Sequence, residues 1–64
     1  MQWTEVLEIA IALDEAHPET DPLRIRFTDL CDKVKALPDF EGDPAHVNER
    51  LLEAIQQAWI DEKT

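Results

Sequence analysis

This chain of 64 residues contains four prolines, which limit where helices can begin and end. Proline lacks a backbone N–H and disfavours helical backbone in the residue before it, so Pro18, Pro22, Pro38 and Pro44 mark helix ends and starts. Between them the sequence is rich in the helix formers Ala, Leu and Glu. A chain this short has room for one domain. The sequence therefore predicts a single all-α, helix-rich domain over residues 1–64, with three main helices and a short extra turn.

The first predicted helix begins at Thr4, a favourable N-cap, and ends before Pro18. Its apolar positions recur at the helical period and are expected to face inward: Val6, Ile9, Ala10 and Leu13. The opposite side carries a nearly straight row: Glu5, Glu8, Ala12 and Glu15. This helix is expected to be apolar on one side and acidic on the other.

The middle of the chain is predicted to form one short turn followed by a second helix. Residues 21–22 have the Asp-Pro pattern of a helix start, but 25–27 (Ile-Arg-Phe) are typical of extended chain, so we expect a single turn there. The helix then begins at Thr28 and ends near Pro38. Its inward stripe is Leu30, Cys31, Val34 and Leu37.

The last third of the chain consists of an acidic loop and a final helix. Residues 38–44 combine turn formers with three acids and one aromatic, Phe40, which we expect to tuck into the core. The helix starts at residues 43–44 (Asp-Pro) or at Asn48. Its inward positions are Leu51, Leu52, Ile55 and Trp59, and its outward row is Glu49, Glu53, Gln57 and Asp61. Trp3 and Trp59 are expected to close the core against each other's helices.

The chain is strongly acidic, with 15 Asp and Glu against six Lys and Arg and a formal net charge of −9. The basic residues concentrate in residues 24–35, between two acidic flanks. This balance disfavours nucleic acid as a ligand, because phosphate binding requires Lys and Arg, and it favours a soluble monomer. No apolar stretch approaches the roughly 18 to 20 residues that cross a membrane. With a single cysteine and no signal peptide, we expect a cytoplasmic protein.

No catalytic constellation is recognisable, so the chain is not expected to be an enzyme. It has no Ser-His-Asp or Cys-His set and no glycine-rich phosphate loop. Cys31 lies on an apolar stripe and is interpreted as a packed thiol. His17 and His46 flank helix ends without a second ligand at metal-binding spacing, so they are interpreted as caps or surface residues.

Pairs of acids three or four residues apart on the first and last helices have two interpretations. Glu5 with Glu8, and Glu49 with Glu53, place carboxylates close enough to share a hard cation through oxygen ligands. For any single pair, a solvated helix face is the simpler interpretation, because surface carboxylates are mostly exposed and unused. The summed negative charge favours a positive ligand or partner that offsets it.

The order of motifs along the chain resembles one known family. The motifs are Trp3-Thr4-Glu5, Pro18-Glu19-Thr20-Asp21-Pro22, Arg26-Phe27-Thr28-Asp29-Leu30, Asp43-Pro44, Asn48-Glu49-Arg50 and Trp59-Ile60-Asp61-Glu62. This succession closely resembles the IscX family, also called YfhJ, small acidic proteins of bacterial iron–sulfur cluster assembly. The resemblance covers nearly the whole chain without gaps. It implies a compact fold similar to a winged helix, docking on a basic surface of the cysteine desulfurase IscS, weak iron binding by surface carboxylates, and competition or cooperation with the frataxin-like protein.

The chain also departs from the family pattern at a few positions. The family commonly has an aromatic residue at the position of Lys33, and often at those of Asp14 and His17. Gly42 interrupts the acidic loop. The core stripes survive these changes, so the expected fold is the same.

Three hypotheses follow. The leading one is an adaptor that docks on the desulfurase and modulates sulfur transfer through Asp39, Glu41, Asp43, Glu49 and Glu53, with Glu5 and Glu8 as further candidates. The second is an iron carrier or sensor that holds iron weakly through Glu5, Glu8, Glu15, Asp61 and Glu62. The third is a winged-helix DNA binder that uses the Lys and Arg side chains of residues 24–35. The net negative charge of the chain disfavours it.

Overall fold

Three α-helices and one short 3₁₀ helix make up the computed structural model of the chain, which describes residues 1–63. α1 spans Val6–Ala16, α2 spans Phe27–Lys35 and α3 spans Glu49–Lys63, and the 3₁₀ helix lies at Pro44–His46. No strand occurs in residues 1–63, which confirms the predicted all-α class. The winged-helix-like arrangement is not confirmed. None of the helices in the described range is long and apolar enough to cross a membrane.

The first two helices begin within a residue or two of their predicted starts. The N-cap of α1 is Glu5 and not the predicted Thr4, and its carboxylate accepts the Gln2 N–H instead of capping the helix. The first residue of α2 is Phe27, one position before Thr28, and it packs partly buried against the core. A local hydrogen bond at α1 and core packing at α2 therefore shift these starts slightly from the positions that capping preferences predict.

Both start signals before the last helix are used. Asp43 Oδ1 accepts the Ala45 N–H at 2.9 Å and caps the 3₁₀ helix, while Asn48 Oδ1 accepts the Leu51 N–H at 2.9 Å and caps α3. Caps of this kind stabilise a helix by about 1 kcal/mol. The predicted short turn also forms, at residues 21–24, where a backbone hydrogen bond of 3.1 Å closes it.

The core forms where α1 packs on α3, and α2 contacts both. Its buried side chains are Trp3, Ile9, Ala10, Leu13, Leu30, Val34, Leu37, Leu52, Ile55, Ala58 and Trp59. Most of the predicted inward positions are among them, and the others, such as Cys31, are partly buried against this cluster. Burial of a Leu or Ile side chain stabilises the fold by about 1.5–3 kcal/mol, so these contacts hold the helices together.

One end of the bundle is closed by aromatic rings, and we call it the aromatic end. Trp3 is buried, and its ring meets that of Phe40 edge to face, with centroids 4.7 Å apart. Trp3 Nε1 donates to the Asp43 carbonyl oxygen at 2.7 Å, and the Glu41 N–H donates to the Met1 carbonyl oxygen at 2.8 Å. As predicted, Trp3, Phe40 and Trp59 pack into the core, although the ring that Trp3 meets edge to face is Phe40.

The other end is closed by long polar side chains, and we call it the polar end. Lys63 Nζ lies 3.0 Å from Asp14 Oδ1 and donates to the Pro18 carbonyl oxygen at 2.9 Å. Gln56 Nε2 donates to the carbonyl oxygen of Pro22, itself a buried residue, at 2.7 Å. These contacts place the carboxyl-terminal ends of α1 and α3 side by side and attach the connection between α1 and α2 to α3.

Candidate functional site

The acidic loop, residues 39–43, is shaped by its backbone and leaves its carboxylates exposed. Its main chain is tied to the first residues of the chain, since Met1 bonds the backbone of Asp39 and Glu41 and the Trp3 indole bonds that of Asp43. The side chains of the three acids take no part in these contacts. Asp39, Glu41 and Asp43 are all exposed, as their predicted role in partner binding requires.

Gly42 is the residue that allows this loop to lie on the aromatic end. A Cβ atom at position 42 would overlap Phe40 Cζ and come within 2.8 Å of Trp3 Cδ1. Such contacts are closer than side-chain carbons approach, so a larger residue would displace one ring. The glycine that interrupts the acids of the loop is therefore a packing requirement of the Trp3–Phe40 pair.

Asp43 differs from the other two acids of the loop because its carboxylate also has structural contacts. Its Oδ1 caps the 3₁₀ helix through the Ala45 N–H, and its Oδ2 lies 4.0 Å from His46 Nε2. Asp39 and Glu41 carry no side-chain hydrogen bond or ion pair within the described residues. The loop therefore offers two unengaged carboxylates and one that is partly engaged.

Glu49 and Glu53 extend this acidic surface into the first turns of α3. Both are exposed, on the side of the helix away from the buried Leu52 and Ile55. The predicted row continues to Asp61, whose Oδ1 accepts a hydrogen bond of 3.2 Å from Gln57 Nε2. Four of the five residues predicted to bind a partner therefore have carboxylates without an ion pair in the range 1–63, namely Asp39, Glu41, Glu49 and Glu53.

The residues predicted to bind iron fall into two groups. At a rise of about 1.5 Å per residue, Glu5 and Glu15 lie about 15 Å apart along α1. The first group, Glu5 and Glu8, lies at the start of α1, and the second consists of Glu15 near the end of α1 and of Asp61 and Glu62 near the end of α3. Within residues 1–63 no group of three or more His, Cys, Asp or Glu side chains is arranged to hold a metal ion. Iron binding by these carboxylates remains a prediction.

The structure does bring together one carboxylate from each predicted set. Glu15 and Asp39 line the same surface groove of about 310 Å³. The groove runs between α1 and the segment that follows α2, and its other lining residues are Met1, Ala12, Ala16, Leu37 and Pro38. The acidic loop and the acidic row of α1 thus meet at this groove through Asp39 and Glu15.

The basic middle of the chain is partly neutralised by its own acids. Arg24 Nε lies 3.6 Å from Asp21 Oδ2, and Lys35 Nζ lies 3.6 Å from Asp32 Oδ1, both at exposed positions. Cations engaged in this way are poorly placed to bind a row of phosphates. That this region does not bind nucleic acid stays a prediction.

His17, at the end of α1, lies in an environment that disfavours its protonated form. Partial burial lowers the pKa of its imidazole, and the positive charge of Lys33 lowers it further. Its backbone N–H donates to the Leu13 carbonyl oxygen at 2.8 Å, so His17 caps the end of α1. Capping was one of the two roles predicted for this residue.

Two exposed apolar residues of α1 were missed by the sequence analysis. Leu7 is 70% exposed and Ile11 is 41% exposed, and they are one helical turn apart beside Glu8 and Glu15. The available signal was their position on the helical wheel, since both lie outside the inward stripe. Leu23, which is 71% exposed in the connection to α2, is the other large exposed apolar residue of the described range.

Comparisons with known proteins cover all or nearly all of the chain. A family model described as iron-sulphur cluster assembly matches residues 1–64. A protein of Pseudomonas aeruginosa strain PAO1, named uncharacterized protein PA3808, is 54% identical over 63 residues, which is 98% of this chain and 96% of the relative. Both matches include the acidic loop and all three helices.

Proposed function

This chain belongs to the IscX family of iron–sulfur cluster assembly proteins, and we propose that it acts there as an acidic adaptor that docks on the cysteine desulfurase IscS. In this proposal it has no catalytic activity of its own. It modulates sulfur transfer by occupying a basic surface of the desulfurase, in competition or cooperation with a frataxin-like protein.

The observation that carries the proposal is a surface of carboxylates that the fold leaves unpaired. Asp39, Glu41, Glu49 and Glu53 are exposed, and none forms an ion pair within residues 1–63. Carboxylates without a partner in the fold can be neutralised by the Lys and Arg residues of another protein without breaking an existing contact. A field of one sign also steers an oppositely charged partner and raises the association rate.

The test is binding of purified protein to purified desulfurase at about 50 mM and about 300 mM NaCl, a range over which exposed charges are progressively screened. We expect binding at the lower salt that weakens strongly at the higher salt. The double variant Glu49→Lys/Glu53→Lys should weaken binding by at least tenfold at low salt, because two attractive contacts become repulsive.

A matched control changes the net charge by the same amount elsewhere. Glu19 and Asp29 are exposed acids outside both the loop and α3, so Glu19→Lys/Asp29→Lys should reduce binding much less. Because Glu49 lies in the first turn of α3, thermal unfolding of both variants checks that the fold is intact. Absence of binding at low salt, or equal losses in the two double variants, would contradict the proposal.

A second candidate function is an iron donor or sensor, favoured by the exposure of the five acids predicted to hold iron, Glu5, Glu8, Glu15, Asp61 and Glu62. Iron is then cargo, held weakly by oxygen ligands and water, since the described residues hold no prearranged metal cluster. Titration with Fe²⁺, and separately with Mn²⁺ and Ca²⁺, while amide resonances are monitored, tests it. Saturable shifts confined to these acids would support a site, whereas non-saturating shifts at every acid would contradict one.

A further inference from the structure

We infer that Leu7 and Ile11 form an apolar part of the docking surface beside Glu8 and Glu15, and that the partner presents an apolar patch surrounded by Lys and Arg. This inference rests on the proposed function and adds to it. The acids provide steering and selectivity, whereas the apolar pair slows dissociation of the complex.

The first support is geometric. Leu7 and Ile11 are one helical turn apart on the outward side of α1, so their side chains form one continuous apolar patch. Glu8 and Glu15 lie directly beside it on the helical wheel and form no ion pair within residues 1–63. An apolar centre with a charged rim is the usual organisation of protein–protein interfaces.

The second support is the shape of the surface at the start of α1. A shallow groove of about 320 Å³ is lined by Thr4, Glu5, Val6, Leu7 and Glu8. Its lining combines two carboxylates with two apolar side chains, which suits an arginine or lysine of a partner. The aliphatic stem of such a residue would lie on Leu7 while its charge meets Glu8.

Charge decides between a second copy of this chain and a different partner. Two copies meeting through Leu7 and Ile11 would bring Glu8 and Glu15 of each against those of the other, on molecules that each carry a net charge of −9. Like charges placed across an interface disfavour association. A basic surface has the complementary sign, so the occupant we propose is the basic docking surface of the desulfurase.

The experiment uses Leu7→Ala with Leu23→Ala as its matched control. Leu7 and Leu23 have nearly the same exposure, 70% and 71%, so both substitutions remove the same apolar group from equally accessible positions. Leu7→Ala should weaken binding to the desulfurase by about 5- to 10-fold, mainly through faster dissociation, as is typical of a central interface residue. Leu23→Ala should leave the affinity within about twofold of the parent.

The salt dependence separates the apolar contribution from the acidic one. Leu7→Ala removes no charge, so the slope of affinity against salt should match that of the parent, whereas Glu8→Gln/Glu15→Gln should flatten it. Parent-like affinity of Leu7→Ala, or equal losses in Leu7→Ala and Leu23→Ala, would overturn the inference and leave the proposed function standing. Absence of binding between the parent protein and the desulfurase would contradict both the inference and the proposed function. A parental dimer that Leu7→Ala dissociates in sedimentation would identify a second copy as the occupant and overturn the inference.

Discussion

The aromatic end and the polar end close the same core by different interactions. At the aromatic end, Trp3 and Phe40 pack edge to face over Gly42, and the hydrogen bonds across the closure use backbone carbonyl oxygens. At the polar end, the Lys63 and Gln56 side chains reach across to the segment that follows α1. Ion pairs are screened by salt, whereas apolar packing involves no charges to be screened.

This difference between the two ends determines which carboxylates remain available to a partner. Asp14 at the polar end is paired with Lys63, so it contributes to closing the fold. At the aromatic end, Asp39 and Glu41 contribute only backbone atoms, and their charges remain exposed. A chain with a large excess of acids can in this way hold an acidic loop in place without using the carboxylates of Asp39 and Glu41 for its own stability.

The largest effect is expected from Gly42→Ala, which tests whether tight packing of the Trp3 and Phe40 rings closes the aromatic end. The added methyl group would displace Phe40 or Trp3, at a cost of about 1–3 kcal/mol. In a domain of this size that lowers the midpoint of thermal unfolding by roughly 5 to 25 °C. Because the acidic loop rests on these rings, affinity for the desulfurase should also fall, although no charge changes.

The double variant Phe40→Ala/Gly42→Ala tests whether overlap with the Phe40 ring causes the loss of stability. In a Phe40→Ala background the ring that the new methyl group overlaps is gone, so Gly42→Ala should cost clearly less than in the parent chain. Equal costs in the two backgrounds would contradict the packing explanation. A parent-like unfolding midpoint for Gly42→Ala itself would show that the aromatic end is loosely packed.

The sequence predicted those parts of the fold that depend on local periodicity. Ile9, Leu13, Leu30 and Val34 are buried as their spacing indicates, because a helix fixes which residues share a side. Capping predicted the helix starts to within a few residues. The exposure of the acidic row of α1 was predicted for the same reason.

The closures could not be predicted in this way, because they join residues far apart in the sequence. Trp3 and Asp43 are 40 positions apart, and Lys63 and Pro18 are 45 positions apart. Their pairing depends on how the helices pack, which no local pattern encodes. For the same reason, the shared groove of Glu15 and Asp39 became visible only in the structure.

An intermediate effect is expected from Lys63→Met, which tests whether the polar end depends on charge. This substitution removes the ion pair with Asp14 and the hydrogen bond to Pro18, at a cost of about 1 kcal/mol after allowance for partial exposure. The cost should shrink at about 1 M NaCl, because salt already weakens the ion pair in the parent. Chemical unfolding at low and high salt measures it.

Two further variants serve as controls for that measurement. Lys35→Met removes an exposed pair of 3.6 Å with Asp32, so its cost should be below about 0.5 kcal/mol. Gln56→Met removes the neutral hydrogen bond to Pro22, so its cost should not depend on salt. A salt-independent cost for Lys63→Met would show that the two ends of the molecule differ less than their contacts indicate.

The smallest effect on stability is expected from a change of pH, which alters the protonation of the His17 imidazole at the polar end. Burial, and then the charge of Lys33, lower the pKa of the folded imidazole from the value of 6.5 expected in the unfolded chain. The unfolded state therefore binds the proton more readily, and stability is lost as the pH falls from above 6.5 towards the folded pKa.

His17→Gln cannot titrate, so it isolates this contribution. The difference in unfolding free energy between the parent and His17→Gln should be constant above about pH 7.5 and should fall as the pH drops to about 5.5, while carboxylate titration cancels between the two. Lys33→Met should raise the pKa of His17 only part of the way to its usual value, because burial, the larger cause, remains. Chemical unfolding at several pH values and an NMR titration of the His17 ring measure both. A difference that stays constant or grows with acid would show that the polar end does not disfavour the protonated imidazole.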